Sequence, residues 1–505
     1  MTSVERDSSG VYGQVEKPSY SILTYTWGRW KVRSQTQQDQ PAIPIKGTNW
    51  KMPVVKKEHF TVAQFQAVLD RMRDGGSDWA WVDIACIDQE DEELNAQEVG
   101  RQASIFKKAR NVYVWLSGLS TDVLQKVINE ISKTGPHLTN HLMEHLPGLP
   151  YVHLNRLYTA FDILFSDPWF SSLWTLQEVI MRHDAKVLSS SAESVRWDED
   201  HSTFLSMVIN ACRNIYGDLD HLREALSTVE RDNGHLSPDE ERVRDEVTQL
   251  SKHILRAGFN FFLGTNPNIQ YGIAKYRRTS REVDRIYAIM QIYNLRVGKS
   301  ARPGDSPALP SLINEFALAI ITQCPVIGQS FIHTTPPARG LSWRITENST
   351  VPHFLRTFNN MRPQCSVVCD SFSNNLRITG KVCLLHLLGR PKNPFTGIDS
   401  SGITVAADAM RRKTVHPMGK SAHDTSGLSD YLQLQIEYGR DIWVLLLGKG
   451  DTWTGTVTYG LLVYPGEKES GEWLLGKDPC KRVGVCSVRP MTRIIPWRQA
   501  TILLE

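Results

Sequence analysis

Trp79-Ala80-Trp81-Val82-Asp83-Ile84-Ala85-Cys86-Ile87-Asp88-Gln89 decides how this chain folds. Trp79 to Val82 is an aromatic and β-branched run with the character of a buried strand. An acidic loop, Glu90 to Glu93, follows, and then a helix. Polar side chains therefore leave the carboxyl end of a strand, where α/β sheets hold their ligands. Working outward, residues 20–25 predict a first strand ending in Tyr25-Thr26-Trp27-Gly28. Thr61 caps a predicted helix to about Arg73, apolar at Val62, Phe65, Val68, Leu69 and Met72 and stopped by Gly75-Gly76. A helix over 95–109, a strand over 111–116, helices over 121–133, 153–166 and 171–182, and a strand over 185–188 complete the pattern. Strands alternating with helices predict a parallel, doubly wound sheet.

Four blocks carry a family resemblance: Tyr20 to Gly28, Asp83 to Gln89, Asn111-Val112-Tyr113-Val114-Trp115-Leu116, and Asp167-Pro168-Trp169-Phe170 with Trp174-Thr175-Leu176-Gln177-Glu178. In this order and spacing they resemble the heterokaryon-incompatibility (HET) domain of filamentous fungi over residues 18–190. Arg281 with Asp284-Arg285-Ile286-Tyr287-Ala288 is similar to a motif that often follows that domain. Trp174 and Glu178 with the preceding Ser171-Ser172-Leu173 resemble a second family, the Toll/interleukin-1 receptor (TIR) domains. The spacing departs from W-x-x-E by one residue, and Thr175 stands where those domains often have cysteine. The two resemblances imply a flavodoxin-like, TIR-like N-terminal domain and a role in non-self recognition ending in programmed cell death. They further imply cleavage of NAD at the nicotinamide–ribose bond. NAD is then a substrate, with no resident cofactor, and self-association or a protein partner activates the enzyme.

Glu178 is the catalytic candidate, one helical turn from Trp174 and so on the same helix face. A fixed carboxylate there stabilises the oxocarbenium-like ribose left by departing nicotinamide; the alternative is a capping or paired surface glutamate. Asp83 and Gln89 fit hydrogen bonding to ribose or phosphate, or ordering of the loop. Cys86 fits the core better than catalysis, having no nearby histidine to activate it. Asp88 replaces the asparagine usual in the HET family and brings a negative charge close to any bound phosphate. Gln97 and Arg101 share a helix face, and Arg101 can meet a pyrophosphate or pair with Glu98. Tyr25 and Trp27 offer aromatic surface for nicotinamide or adenine, or belong to the core. Gly28 admits close backbone approach to a phosphate, and Arg29 beside it resembles the Arg-Gly pair of TIR domains in reverse order.

The rest of the chain bounds these readings. Its 505 residues suffice for two to four domains. The expected division is an unstructured 1–18, the HET (TIR-like) domain over 19–192, a helical region over 193–325 and a β-rich part over 326–505. A formal charge of +3, with both signs spread along the chain, gives no basic face for nucleic acid. The longest apolar run, Ile442 to Leu447, is too short to cross a membrane, and Met1 to Gly10 lacks a signal peptide's apolar segment. Eight scattered cysteines suit reduced thiols and a cytoplasmic protein. Two rival functions stand beside NAD cleavage. One is a non-catalytic module binding protein partners. The other is a zinc-dependent hydrolase using His137, His141 and His145, in the pattern H-x-x-E-H. Beyond residue 200 no catalytic constellation is legible. That part is expected to restrain the N-terminal domain, so that residues 1–200 alone would be at least as active.

Overall fold

A computed structural model describes residues 11–32, 43–144, 151–260, 264–369, 376–388, 403–409, 434–438, 442–465, 479–489 and 495–504, apart from 13, 49, 303, 339, 435, 453 and 454. Four strands, β1 (Tyr20–Thr24), β2 (Trp79–Trp81), β3 (Asn111–Trp115) and β4 (Lys186–Leu188), form one sheet. Its order is β2-β1-β3-β4 and every pairing is parallel. This is the start of the flavodoxin-like order, in which ligands lie outside the carboxyl ends of the strands.

The connections follow from local signals. Helix α1 (Val62–Asp74) begins at a capping box, in which Thr61 and Gln64 satisfy each other's backbone. Its Phe65, Val68 and Met72 pack with Leu23, Tyr25, Tyr113 and Trp115 in the core beside the sheet. The predicted helix over 95–109 is two helices, α2 (Glu92–Val99) and α3 (Gln102–Lys108). They part at Gly100-Arg101, where Gln291 accepts from the Ala103 N–H and donates to the Val99 carbonyl. Helix α4 (Thr121–Glu144) runs past Gly135-Pro136, where the sequence predicts an end at 133. Leu124, Val127, Ile128, Ile131 and Leu138 make a continuous buried stripe. Their burial outweighs the roughly 3 kcal/mol that an interior proline costs. The side chains of His137 and His141, and all of His145, lie outside the described residues. Among the described residues no group of three metal-ligating side chains is found.

Helix α5 (Tyr151–Ser166) leads to the single turn Pro168–Ser171 and then to α6 (Leu173–Met181). Two long helices follow, α7 (Leu205–Asn233) and α8 (Pro238–Ala257), the second opening on a Ser237–Glu240 capping box. By its contacts the chain divides into two compact units, Met1–Phe262 with Ile273–Leu309, and Leu263–Gly272 with Pro310–Glu505. Within the segment expected to lack order, Val11–Tyr12 and Val15–Glu16 pair as a short antiparallel ladder.

The second unit is rich in strands. These are β5 (Asn359–Pro363), β6 (Ser366–Cys369), β7 (Leu376–Leu384), β8 (Ile403–Ala407), β9 (Trp443–Thr452), β10 (Gly455–Pro465), β11 (Pro479–Val488) and β12 (Arg498–Leu504). They run in the order β5-β9-β10-β11-β12-β7-β6, with β8 on β11. Val382 to Leu384 also pair with Trp443 to Leu445, so five of the strands close into a ring. Closure removes exposed sheet edges. Among the described residues no helix is long and apolar enough to cross a membrane. The chain is therefore α/β, with a parallel sheet first, helices in the middle and a β-rich C-terminal part.

Candidate functional site

A cleft of about 580 Å³ opens at the carboxyl ends of β1 and β2, wholly within the first unit. Glu178, on α6, reaches into it although only 7% of the residue is exposed. Thr24, the last residue of β1, donates its hydroxyl proton to Glu178 Oε2, and Trp169 Nε1 donates to Thr24 Oγ1 at 2.7 Å. The relay is set by Asp167, which caps the turn at Trp169 N (2.9 Å) and holds Gly118 N (2.8 Å) after β3. Burial pushes the Glu178 carboxyl well above the usual carboxylate range; the Thr24 hydrogen bond opposes this and the charge of Asp83 adds to it. Glu178 forms no ion pair among the described residues.

Asp83 is the second carboxyl of the cleft. The strand stops at Trp81 and Asp83 opens a single helical turn, Asp83–Cys86, where the sequence predicts strand to residue 84. The cause is local: Oδ1 accepts from the Ile84 N–H at 2.7 Å and so caps the turn. Oδ2 accepts from Trp27 Nε1 at 2.7 Å. Burial raises this carboxyl, and the Trp27 bond lowers it.

The remaining sequence-predicted residues separate into two groups. Tyr25, Trp27, Gly28, Arg29, Gln89 and Trp174 line the cleft with Asp83 and Glu178. The Tyr25 ring belongs to the core, about 6 Å from Phe60, Phe65 and Trp115, and only its edge meets the cleft. A side chain at Gly28 would meet nothing within 4 Å, so the backbone there is open to a ligand. Gln89 orders its loop, donating to the Asp83 and Ile87 carbonyls and accepting from Asn95. Trp174 donates to Asp284 at 3.4 Å. Three predicted residues lie outside the lining. Cys86 accepts from the Val82 N–H, with burial pushing its thiol up to about 11. Asp88 caps the Glu90 and Asp91 N–H groups, and Arg101 pairs with Glu98.

Sequence reasoning missed the facing wall. Residues 278–284, Tyr287, Lys299, Ser300 and 305–307 line the same cleft. They are fixed to the Glu178 side by backbone: Arg278 N donates to the Ser171 carbonyl (2.7 Å) and Leu173 N to the Arg278 carbonyl (2.9 Å). Beneath them the buried Arg277 guanidinium donates to the Trp169 (3.2 Å) and Ala257 (2.6 Å) carbonyls. The expectation that nothing beyond residue 200 takes part in the site is thus corrected. The Arg281-to-Ala288 motif was the available signal, with Asp284 buried between Arg281, Thr279 and Trp174.

Thr24, Trp169 and Glu178 come from separated blocks of sequence and meet in one relay, and comparison with known proteins accounts for that spacing. Residues 20–178 match the family described as "Heterokaryon incompatibility protein (HET)". The chain carries a HET domain. Over 199 residues it is 22% identical to heterokaryon incompatibility protein 6, OR allele, of Neurospora crassa. The alignment covers 33% of this chain and 28% of that protein, so the chain spans little more than a quarter of its relative's length. No solved structure gives a significant match. The HET domain as matched begins at β1 and ends at Glu178 itself, so the wall formed by residues 278–307 lies outside it.

Proposed function

We propose that this protein acts in non-self recognition as a heterokaryon-incompatibility effector that hydrolyses NAD at the nicotinamide–ribose bond and thereby kills the cell. One observation carries the reading: Glu178, a buried carboxyl without an ion-pair partner among the described residues, faces a cleft at the strand ends beside Asp83. A module that only bound other proteins would leave such a group in a salt bridge or away from any cavity. The resemblance to TIR domains points to the same bond.

The reaction consumes water. The glycosidic bond breaks, its electron pair returns to the pyridinium nitrogen, and neutral nicotinamide leaves an oxocarbenium-like ribose. Water adds at that carbon, giving ADP-ribose and one proton. Ionised Glu178 stabilises the developing charge, and Thr24 and Trp169 hold the carboxylate still. Two carboxyls that resist joint ionisation suit a cationic ring: binding the pyridinium favours the carboxylate form of Glu178 and draws its raised pKa down. Trp27 and Trp174 supply aromatic surface beside it. The protein acts in the cytoplasm, and self-association or a protein partner switches it on.

Expression in a fungal host tests the reading: growth should stop as cellular NAD falls, and arrest with NAD unchanged would overturn it. Thr24→Val should move the acid limb of the pH–rate profile to higher pH. The Thr24 hydroxyl favours the ionised form of Glu178, so its loss raises that pKa further. Activity near neutral pH should drop about tenfold, the worth of one hydrogen bond to a charged group. An unshifted profile would separate Glu178 from the rate.

A further inference from the structure

Arg29 and Arg278 are anchored on the same short segment of chain. Arg29 Nη2 donates to the Pro168 carbonyl (3.2 Å) and to Ser171 Oγ (3.3 Å). The Arg278 backbone brackets residues 171–173 through the two bonds described above. Both side chains line the cleft that holds Glu178. Their charges oppose one another: burial and then Arg278 hold the Arg29 guanidinium below its usual value. The neighbouring cations of the same wall are neutralised, Arg281 by Asp284 (3.1 Å) and Lys299 by Glu92 (2.6 Å). Arg29 and Arg278 have no carboxylate partner among the described residues.

Two guanidinium groups held together without a counter-charge make a site for a multivalent anion. Their planar forks match phosphate oxygens two at a time, and an anion between them replaces repulsion by attraction. We infer that Arg29 and Arg278 form a phosphate subsite that binds the diphosphate of a dinucleotide, a choice of ligand that rests on the NAD reading above. Gly28, open to the cleft beside Arg29, lets backbone approach the same anion. The inference gives a task to the segment beyond the HET domain: the match to the family ends at residue 178, and Arg278 is supplied from outside it. The carboxyl of Glu178 then addresses the ribose while the arginines hold the phosphates, which favours phosphorylated substrates over the bare nucleoside.

The test uses the full-length protein, inorganic pyrophosphate as probe and calorimetry as readout. Wild type should bind pyrophosphate, more weakly as salt rises. Arg278→Gln should raise its Kd about tenfold or more, and Arg278→Lys should fall between the two. The exposed Lys252 on α8 is remote from the cleft lining, so Lys252→Gln controls for net charge and should bind as wild type. Because the Arg278 side chain is exposed and its backbone makes the bridge, Arg278→Gln should melt with wild type. In the cleavage assay its KM for NAD should rise about tenfold, with nicotinamide riboside, which lacks phosphate, unaffected. Absent pyrophosphate binding by wild type, or equal binding by Arg278→Gln, overturns the subsite. NAD cleavage with an unchanged KM in Arg278→Gln would remove the subsite and leave the NAD reading standing. Arginine-dependent pyrophosphate binding without any NAD cleavage would do the reverse.

Discussion

Replacing Glu178 by Gln should lower NAD cleavage about a thousandfold and leave the protein at least as stable as wild type. The amide keeps the shape and still accepts the Thr24 hydroxyl, but carries no charge to set against the oxocarbenium ion. Losing one preorganised electrostatic contact at a transition state costs on that order. The stability half follows from the direction of the pKa. Burial raises the folded carboxyl above its unfolded value. Its contribution to stability is therefore complete below the unfolded pKa and declines as pH rises toward the folded one. Glutamine has no such decline, so the melting temperature of the variant should gain on wild type as pH increases from acid to neutral. Thermal melts at several pH values, run beside the cleavage assay, read both. A folded variant of undiminished activity would remove Glu178 from the mechanism. A variant that cannot fold would make the residue structural.

A fragment ending at residue 200 should neither melt cooperatively nor cleave NAD. Ile286 and Ile289 are each 1% exposed and Met290 is 0% exposed, all within the first unit. Burying three such side chains is worth roughly 5–9 kcal/mol, which equals much of a domain's usual margin of about 5–15 kcal/mol. The fragment also loses Arg277, which ties the turn at Trp169 to the end of α8, and one wall of the cleft. Calorimetry of the fragment beside the full chain decides. A fragment that folds and matches the intact protein in activity would show the segment to be dispensable.

The sheet was legible because its signals are local: strand runs broken by Gly75-Gly76, a Thr61 cap, and apolar spacing along α1. Glu178, Trp174, Trp27 and Asp83 could be placed together because motif blocks at strand ends must converge in a parallel sheet. What was illegible depended on contacts distant in sequence. The break at Gly100-Arg101 answers to Gln291, and the continuation of α4 through Pro136 answers to a buried stripe that outweighs the residue's own preference. Cys86, Asp88 and Arg101 sit close to the site in sequence, yet each is taken by a partner within four residues. Thr24 and Trp169 lay inside the motif blocks, but only the fold shows that they share one carboxylate.

The most direct measurement is to incubate the purified full-length protein with NAD between about pH 6 and 9, where a raised carboxyl can ionise, and to follow free nicotinamide and ADP-ribose. The account predicts equal amounts of the two products, a rate that climbs with pH as Glu178 ionises, and no turnover above background by Glu178→Gln. NAD left intact by the folded protein across that range, or cleaved equally by the variant, would contradict it.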